Sequence, residues 1–225
     1  MIDAGGCCLL LVAAVVTYFV CGIPFGLLIA SKEGHIDVRK VGSVNIGTTN
    51  VARSVGAKAG GLTLLLDALK GFLSTFIWQK VFCMAIFAGN ASMVAPTGEF
   101  GWMASIIFLA AICGHVFSPY LHFRGGKGIA VGFGAALGYI PAVALGLLVV
   151  FVVFAVPSRY VSLGSSMAAV SLPIWGAVFG YAPATICPLV IITAIVVWAH
   201  RANIKKLVHG EERKFSFHHE SKDTK

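Results

Sequence analysis

The sequence predicts an all-α polytopic integral membrane protein of about seven transmembrane helices, some short, with the N-terminus outside and the C-terminus cytoplasmic. Three observations carry this expectation. Of 225 residues, 58% are hydrophobic and only 12% charged, about half the charged fraction of an ordinary soluble domain, and mean hydropathy is +0.89. The apolar residues fall in runs rather than alternating with polar ones, from Leu9 to Ala30 at the start to Ala184 to Ala199 at the end. A bilayer core needs about 20 apolar residues per spanning helix, and no large soluble domain fits between these runs. Finally, all but two of the Lys and Arg residues behind a net charge of +8, Lys70 and Lys80, fall in particular connections.

The first run, 9–30, reads as a retained helix rather than a cleaved signal. Met1 to Gly6 carries only Asp3 and no basic residue, and the run exceeds the usual signal core of about 7–15 residues. Cys7 and Cys8 precede it, whereas a lipoprotein cysteine follows its apolar run. The further spans are expected at 60–80, 102–121, 128–140, 141–156, 161–178 and 183–200. The runs 128–140 and 141–156 are short and meet at Tyr139-Ile140-Pro141, so they are either tilted spans or half-helices lining a cavity. The apolar stretch Val81 to Ala95 either extends the second helix or lies along the outer surface.

Lys32, Arg39, Lys40, Arg53 and Lys58 occupy the first polar loop, Arg124 and Lys127 the second, and Arg159 the third. Arg201, Lys205, Lys206, Arg213, Lys214, Lys222 and Lys225 occupy the C-terminal segment, while the intervening loops carry no Lys or Arg. The positive-inside rule assigns all four basic segments to the cytoplasm. Residues 1–208 then form one transmembrane domain and 209–225 a polar tail, short and charged enough to be expected disordered from Phe215 onward. Membrane orientation and anionic headgroups account for the basic tail without a nucleic-acid partner. The cysteines Cys7, Cys8, Cys21, Cys83, Cys113 and Cys187 lack C-x-x-C spacing and a companion His cluster. They read as small apolar fillers, and neither a metal nor a cofactor is expected.

The polar loops are too specific to be simple connectors. Lys40 to Arg53 packs Gly42, Ser43, Asn45, Gly47, Thr48, Thr49, Asn50 and Arg53 into one stretch, offering amides, hydroxyls and a forked guanidinium to phosphate oxygens. The bland alternative is a flexible Gly-rich turn. Gly114 to Gly128 contains His115 and the run Gly125-Gly126-Lys127-Gly128 immediately before an apolar helix, where free amides, the positive helix end and an ammonium meet one anion. It is not a Walker A loop, because Gly128 stands where a Ser or Thr would hold magnesium. Ser162 and Ser165 place hydroxyls at a third helix start, and His200 and Asn203 share a helical face. Asp67 and Lys70 lie three apart inside the second apolar run, where ionisable groups face partners or a cavity. They form an internal ion pair or bind substrate directly.

These motifs resemble the bacterial acyl-phosphate:glycerol-3-phosphate acyltransferases, the PlsY family. The resemblance runs from Ile23-Pro24-Phe25-Gly26 to the segment Asn203 to Glu211, with the three motifs at Gly42 to Arg53, Gly114 to Gly128 and Ser162 to Ser165, and Leu66 to Gly71 similar to the family's second helix. Val44 stands where members often have Gly, Thr48 where Ala is common, and Ser118 where a proline is usual, with Pro119 one residue later. The resemblance implies a fatty acyl phosphate donor, with no acyl carrier protein or CoA, and acylation of glycerol 3-phosphate at the cytoplasmic face of the bacterial inner membrane. Its products are 1-acylglycerol 3-phosphate (lysophosphatidate) and inorganic phosphate. It makes Ser43, Arg53, Lys127, His115 and His200 the catalytic candidates. Gly42, Asn45, Gly47, Thr49, Asn50, Gly125, Gly126, Gly128, Ser162, Ser165, Asn203, Asp67 and Lys70 become candidates for substrate binding.

An acyl phosphate is already activated, so the site must hold two phosphates, aim a hydroxyl and stabilise developing charge rather than form a covalent intermediate. His115 and His200 are the side-chain candidates for a base, alongside the substrate phosphate itself. The His-x4-Asp pattern of soluble-type acyltransferases has one match, His218 to Asp223, in the polar tail. The alternative from another class is a transporter of phosphate or a phosphorylated solute, although the sequence has no internal repeat and gathers its polar motifs on one side. If Lys127 binds phosphate in the transition state, Lys127→Ala is expected to lower turnover about a hundredfold or more without altering thermal unfolding. Near-normal turnover would remove Lys127 from the site.

Overall fold

The computed structural model describes residues 2–215 and, among them, only helices and connections. Helix α1 (Ala4–Gly22) begins where Asp3 Oδ1 accepts from the Gly6 amide at 2.8 Å. It stops ahead of Pro24, whose nitrogen has no hydrogen to donate, and the chain resumes as α2 (Phe25–Gly34). At the interruption Ile23 O accepts from the Phe25 amide at 3.1 Å, and donors from elsewhere reach both Gly22 O and Ile23 O. Ser118 Oγ donates to Gly22 O and Lys70 Nζ to Ile23 O, each at 2.7 Å. The expected span 9–30 is thus a longer, broken segment, Ala4–Gly34.

A short helix, α3 (Thr48–Ser54), leads into α4 (Ala57–Phe87). With 31 residues, α4 is about 46 Å long at 1.5 Å per residue. It absorbs Val81 to Phe87, which settles how that apolar stretch is used. The four-residue α5 (Ala91–Val94) follows. Next come α6 (Trp102–Val116), a 3₁₀ turn at Pro119–Leu121, and α7 (Ile129–Tyr139). Eleven residues reach only about 16 Å, so α7 is a half-helix, whereas α8 (Pro141–Ser158) is a full-length apolar helix. The remaining helices are α9 (Val161–Val178), α10 (Pro183–Ala199) and α11 (Arg201–Val208), the last bent 59° from α10 at His200. By length and composition five described segments can cross a membrane, and α10 with α11 makes a sixth.

The half-helix α7 lies directly on α4. A Cβ at Gly134 would overlap the Ala68 carbonyl, and one at Gly71 the Val131 carbonyl. Thr75 Oγ1 also donates across to Ala135 O at 2.8 Å. The main core is built from α6 to α10, with Phe108, Ile112, Ala135, Tyr139, Val143, Leu147, Leu172, Leu189 and Ile192 buried together. A second cluster joins α1, α4 and α6 through Ala13, Phe82, Met103 and Ile107. Outward faces carry Leu11, Leu65, Val149, Val153 and Val178, all exposed, as a lipid-facing surface requires.

Gly134→Ala is expected to force α7 off α4 and destabilise the protein by about 1–3 kcal/mol. The measurement is the unfolding midpoint in detergent, with lipid-facing Leu65→Ala as the control that leaves it nearly unchanged.

Candidate active site

The loop after α2 is folded around one side chain. Asn50 is 2% exposed, and its Nδ2 donates to the carbonyls of Val38, Val41 and Asn45 at 2.9, 3.1 and 2.9 Å. Its Oδ1 accepts from the Ser43 amide at 2.9 Å. The amide of Asn50 is therefore committed to the loop, which explains a carboxamide at that position without a ligand. Asn45 Oδ1 caps the turn by accepting from the Gly47 amide at 2.9 Å. Gly42 and Val44 both have positive φ, +62° and +56°. Val44 therefore holds a β-branched residue in the left-handed region at a cost of about 1–2 kcal/mol. Thr48 turns in a buried hydroxyl with no hydrogen-bond partner among the described residues.

The second motif is laid against the end of α6. The Gly125 amide donates to Val116 O and the Gly126 amide to His115 O, both at 3.0 Å. A Cβ on Gly126 would collide with the His115 ring, so that position admits glycine only. Gly128 takes φ +83° and starts α7, leaving Lys127 in the connection between α6 and α7. Burial lowers the pKa of its ammonium; Glu212 opposes that shift, and Lys206 and Arg53 reinforce it. Asp67 Oδ1 lies 2.8 Å from Lys70 Nζ and 3.9 Å from His115 Nδ1. The first is a close ion pair without the angles of a hydrogen bond, since Asp67 Oδ1 is otherwise without a hydrogen-bond partner among the described residues.

The third group joins α9, α11 and the tail. Lys127 Nζ donates to Asn203 Oδ1 at 2.5 Å. Asn203 Nδ2 and Ser162 Oγ both donate to Glu212 Oε1 at 2.8 Å. His200, 2% exposed, has Nδ1 2.8 Å from Val196 O. With Nδ1 donating there, the neutral ring keeps its lone pair on Nε2.

All three groups line one cavity of about 450 Å³. Its polar part holds Ser43, Asn45, Gly47, Thr49, Asn50, Arg53, Asp67, His115, Lys127, Gly128, Ser162, Ser165, His200 and Asn203. Its apolar part is walled by Leu64, Phe108, Ile112, Phe133, Leu147, Leu148, Phe151, Leu172, Ile192 and Val196. Four of the candidates do not line it. Gly42, Gly125 and Gly126 shape its loops, and Lys70 stands behind Asp67. Among the charged lining residues, Glu212 and Arg213 were not expected from the sequence, while Thr48 of the first motif lines the cavity without having been a named binding candidate. The only local signal for Glu212 is its place just after Gly210, whose φ of +70° turns the chain back from α11. The His218–Asp223 pattern lies outside the described residues, and no cluster suited to a metal occurs among those described.

A family model described as glycerol-3-phosphate acyltransferase matches residues 11–210. The chain belongs to this family. It is 41% identical over 198 residues to the glycerol-3-phosphate acyltransferase of Trichlorobacter lovleyi, covering 88% of this chain and 93% of that protein. It is 38% identical over 205 residues to that of Geobacter sulfurreducens, with 91% and 97% covered. A crystal structure of PlsY, an integral membrane glycerol 3-phosphate acyltransferase in its glycerol 3-phosphate form, superposes with a TM-score of 0.79 at 33% identity, covering 92% of this chain and 96% of that one. The lysophosphatidic acid form gives 0.77 at 32% identity, with 92% and 95% covered.

For a member of this family, the depressed pKa of Lys127 has a direct consequence. If Lys127 binds phosphate, its ammonium must be protonated to do so, and acyl transfer is then expected to fall as pH rises through a value below the ordinary lysine range of about 10.4. In Lys127→Arg, whose guanidinium stays charged, the residual activity is expected to lack that alkaline limb. Profiles of kcat/KM against pH for the two proteins make the comparison.

Proposed function

We propose that this chain transfers a fatty acyl group from acyl phosphate to the 1-hydroxyl of glycerol 3-phosphate, releasing lysophosphatidate and inorganic phosphate. The observation that carries the reading is one cavity with two chemistries. Hydroxyls, amides, Arg53 and Lys127 surround its polar part, and leucines, isoleucines and phenylalanines its remainder. A phosphorylated polyol needs only the first; a donor joining a phosphate to a fatty chain needs both. Neither acyl carrier protein nor CoA has a part in this scheme. Residues 1–208 act as a single domain with seven membrane segments, the half-helix α7 included. The N-terminus is outside, and the site faces the cytoplasm of a bacterial inner membrane. The four basic segments support that orientation.

In the proposed reaction the 1-hydroxyl oxygen attacks the acyl carbonyl carbon, and the bond from that carbon to the phosphate oxygen breaks. Arg53 and Lys127 neutralise the phosphates, while Ser43, Asn45, Ser162 and Asn203 add neutral hydrogen bonds that aim the hydroxyl. His115 and His200 position substrate, and phosphate itself takes the hydroxyl proton, a role suited to a group whose second pKa is about 6. If His115→Ala and His200→Ala both abolished turnover while glycerol 3-phosphate binding was unchanged, a histidine base would replace phosphate in this scheme.

Purified protein in detergent, given palmitoyl phosphate and glycerol 3-phosphate, is expected to release phosphate and form lysophosphatidate in equal amounts, and to do neither with palmitoyl-CoA. Folded protein without turnover, together with solute uptake into sealed vesicles, would favour transport instead.

A further inference from the structure

Asp67, Lys70 and His115 are 2%, 5% and 4% exposed, and they connect the broken first span to the glycine loop that precedes α7. The Lys70 ammonium is held from two sides, by Asp67 Oδ1 at 2.8 Å and the Ile23 carbonyl at 2.7 Å. Asp67 and Lys70 are three positions apart on α4, so the carboxylate is fixed by its helix and by its cation. The same carboxylate oxygen is 3.9 Å from His115 Nδ1. That is too long for a hydrogen bond, but close enough for a buried charge to orient an imidazole. The other edge of that ring faces Gly126, where not even a Cβ would fit, and the His115 carbonyl accepts the Gly126 amide. His115 therefore supports Gly125-Gly126 with both its side chain and its backbone, one residue before Lys127.

We propose that the Asp67–Lys70 ion pair is a positioning device: through His115 it sets the height of the Gly125–Lys127 loop, and so the place where Lys127 meets phosphate. This rests on the acyltransferase reading of the site. It differs from direct substrate binding by Asp67, which also lines the cavity, because it makes the effect of the carboxylate conditional on the histidine. Lys70 stands behind Asp67 and outside the cavity lining, so its effect on the loop runs through Asp67 while it also donates to Ile23 O.

A double-mutant cycle separates the two. Asp67→Asn and His115→Gln are close to isosteric, and each is compared with the double variant in the full-length protein in detergent. The readouts are kcat and KM for glycerol 3-phosphate and for palmitoyl phosphate, calorimetric binding of glycerol 3-phosphate, and thermal unfolding. Asp67→Asn alone is expected to lower kcat/KM about tenfold or more through KM of the substrate whose phosphate the loop holds. In the His115→Gln background the same change is expected to cost less than about twofold. Equal factors in both backgrounds would show Asp67 acting independently of His115 and overturn the proposal. So would a loss confined to thermal stability with both KM values unchanged. If Asp67→Asn does not fold, Lys70→Arg against His115→Gln runs the same cycle with the ion pair displaced rather than broken, judged by the same criterion. Wild-type protein that neither binds glycerol 3-phosphate nor turns over would overturn the function proposed above. Wild-type turnover with additive variants would overturn only the positioning.

Discussion

The two peptide carbonyls at the break between α1 and α2 draw donors from two other parts of the chain, and for Gly22 O that distant donor is Ser118. In hydrocarbon an unsatisfied carbonyl costs several kcal/mol, so a span broken at Pro24 persists only if other helices bring donors to it. α4 brings Lys70, and the turn after α6 brings Ser118. The ammonium then requires a counter-charge, which is Asp67 on the same helix. A buried cation and anion near the membrane interior are tolerated because each has this work to do. The packing of α4 against α1, and the placement of the loop after α6, follow from these bonds.

A second consequence concerns how polar groups are divided between structure and substrate. In the first loop Asn50 spends its amide on the backbone, which leaves Ser43, Thr48 and Arg53 to face the cavity. The glycines act similarly. Gly126 lets the chain approach the His115 ring, and Gly128 turns it into α7. Neither offers a side chain, yet together they bring Lys127 to within hydrogen-bonding distance of Asn203 on the far side of the sequence. Ser118 and Pro119 both meet the break after α1. The Ser118 hydroxyl donates to Gly22 O, and the Pro119 ring packs against Gly22.

Much of this was legible in the sequence because hydropathy reports directly on burial in lipid. The runs at 102–121, 141–156, 161–178 and 183–200 correspond to α6 with its turn, α8, α9 and α10 to within a few residues. The residues singled out in the polar loops largely come together, since phosphate-like chemistry needs a recognisable mixture of hydroxyl, amide and cation. Geometry that depends on distant partners was not legible. The apolar run 128–140 reads equally as a tilted span or a half-helix, because the choice rests on its close fit to α4 as well as on Ile140 and Pro141. Asn50 reads the same whether it binds ligand or loop. Glu212 lies in a stretch whose composition suggests only solvent, and its place beside Ser162 and Asn203 is set by the turn at Gly210.

Two residues that line the cavity, Leu64 on α4 and Leu148 on α8, are themselves exposed. Part of its apolar lining is therefore accessible protein surface rather than closed core. Extracting a chain of sixteen carbons from lipid into water would cost roughly 12 kcal/mol, at about 0.8 kcal/mol per methylene. A tail that entered the cavity from lipid, past these leucines, would not meet that barrier, because only its headgroup would have to change surroundings.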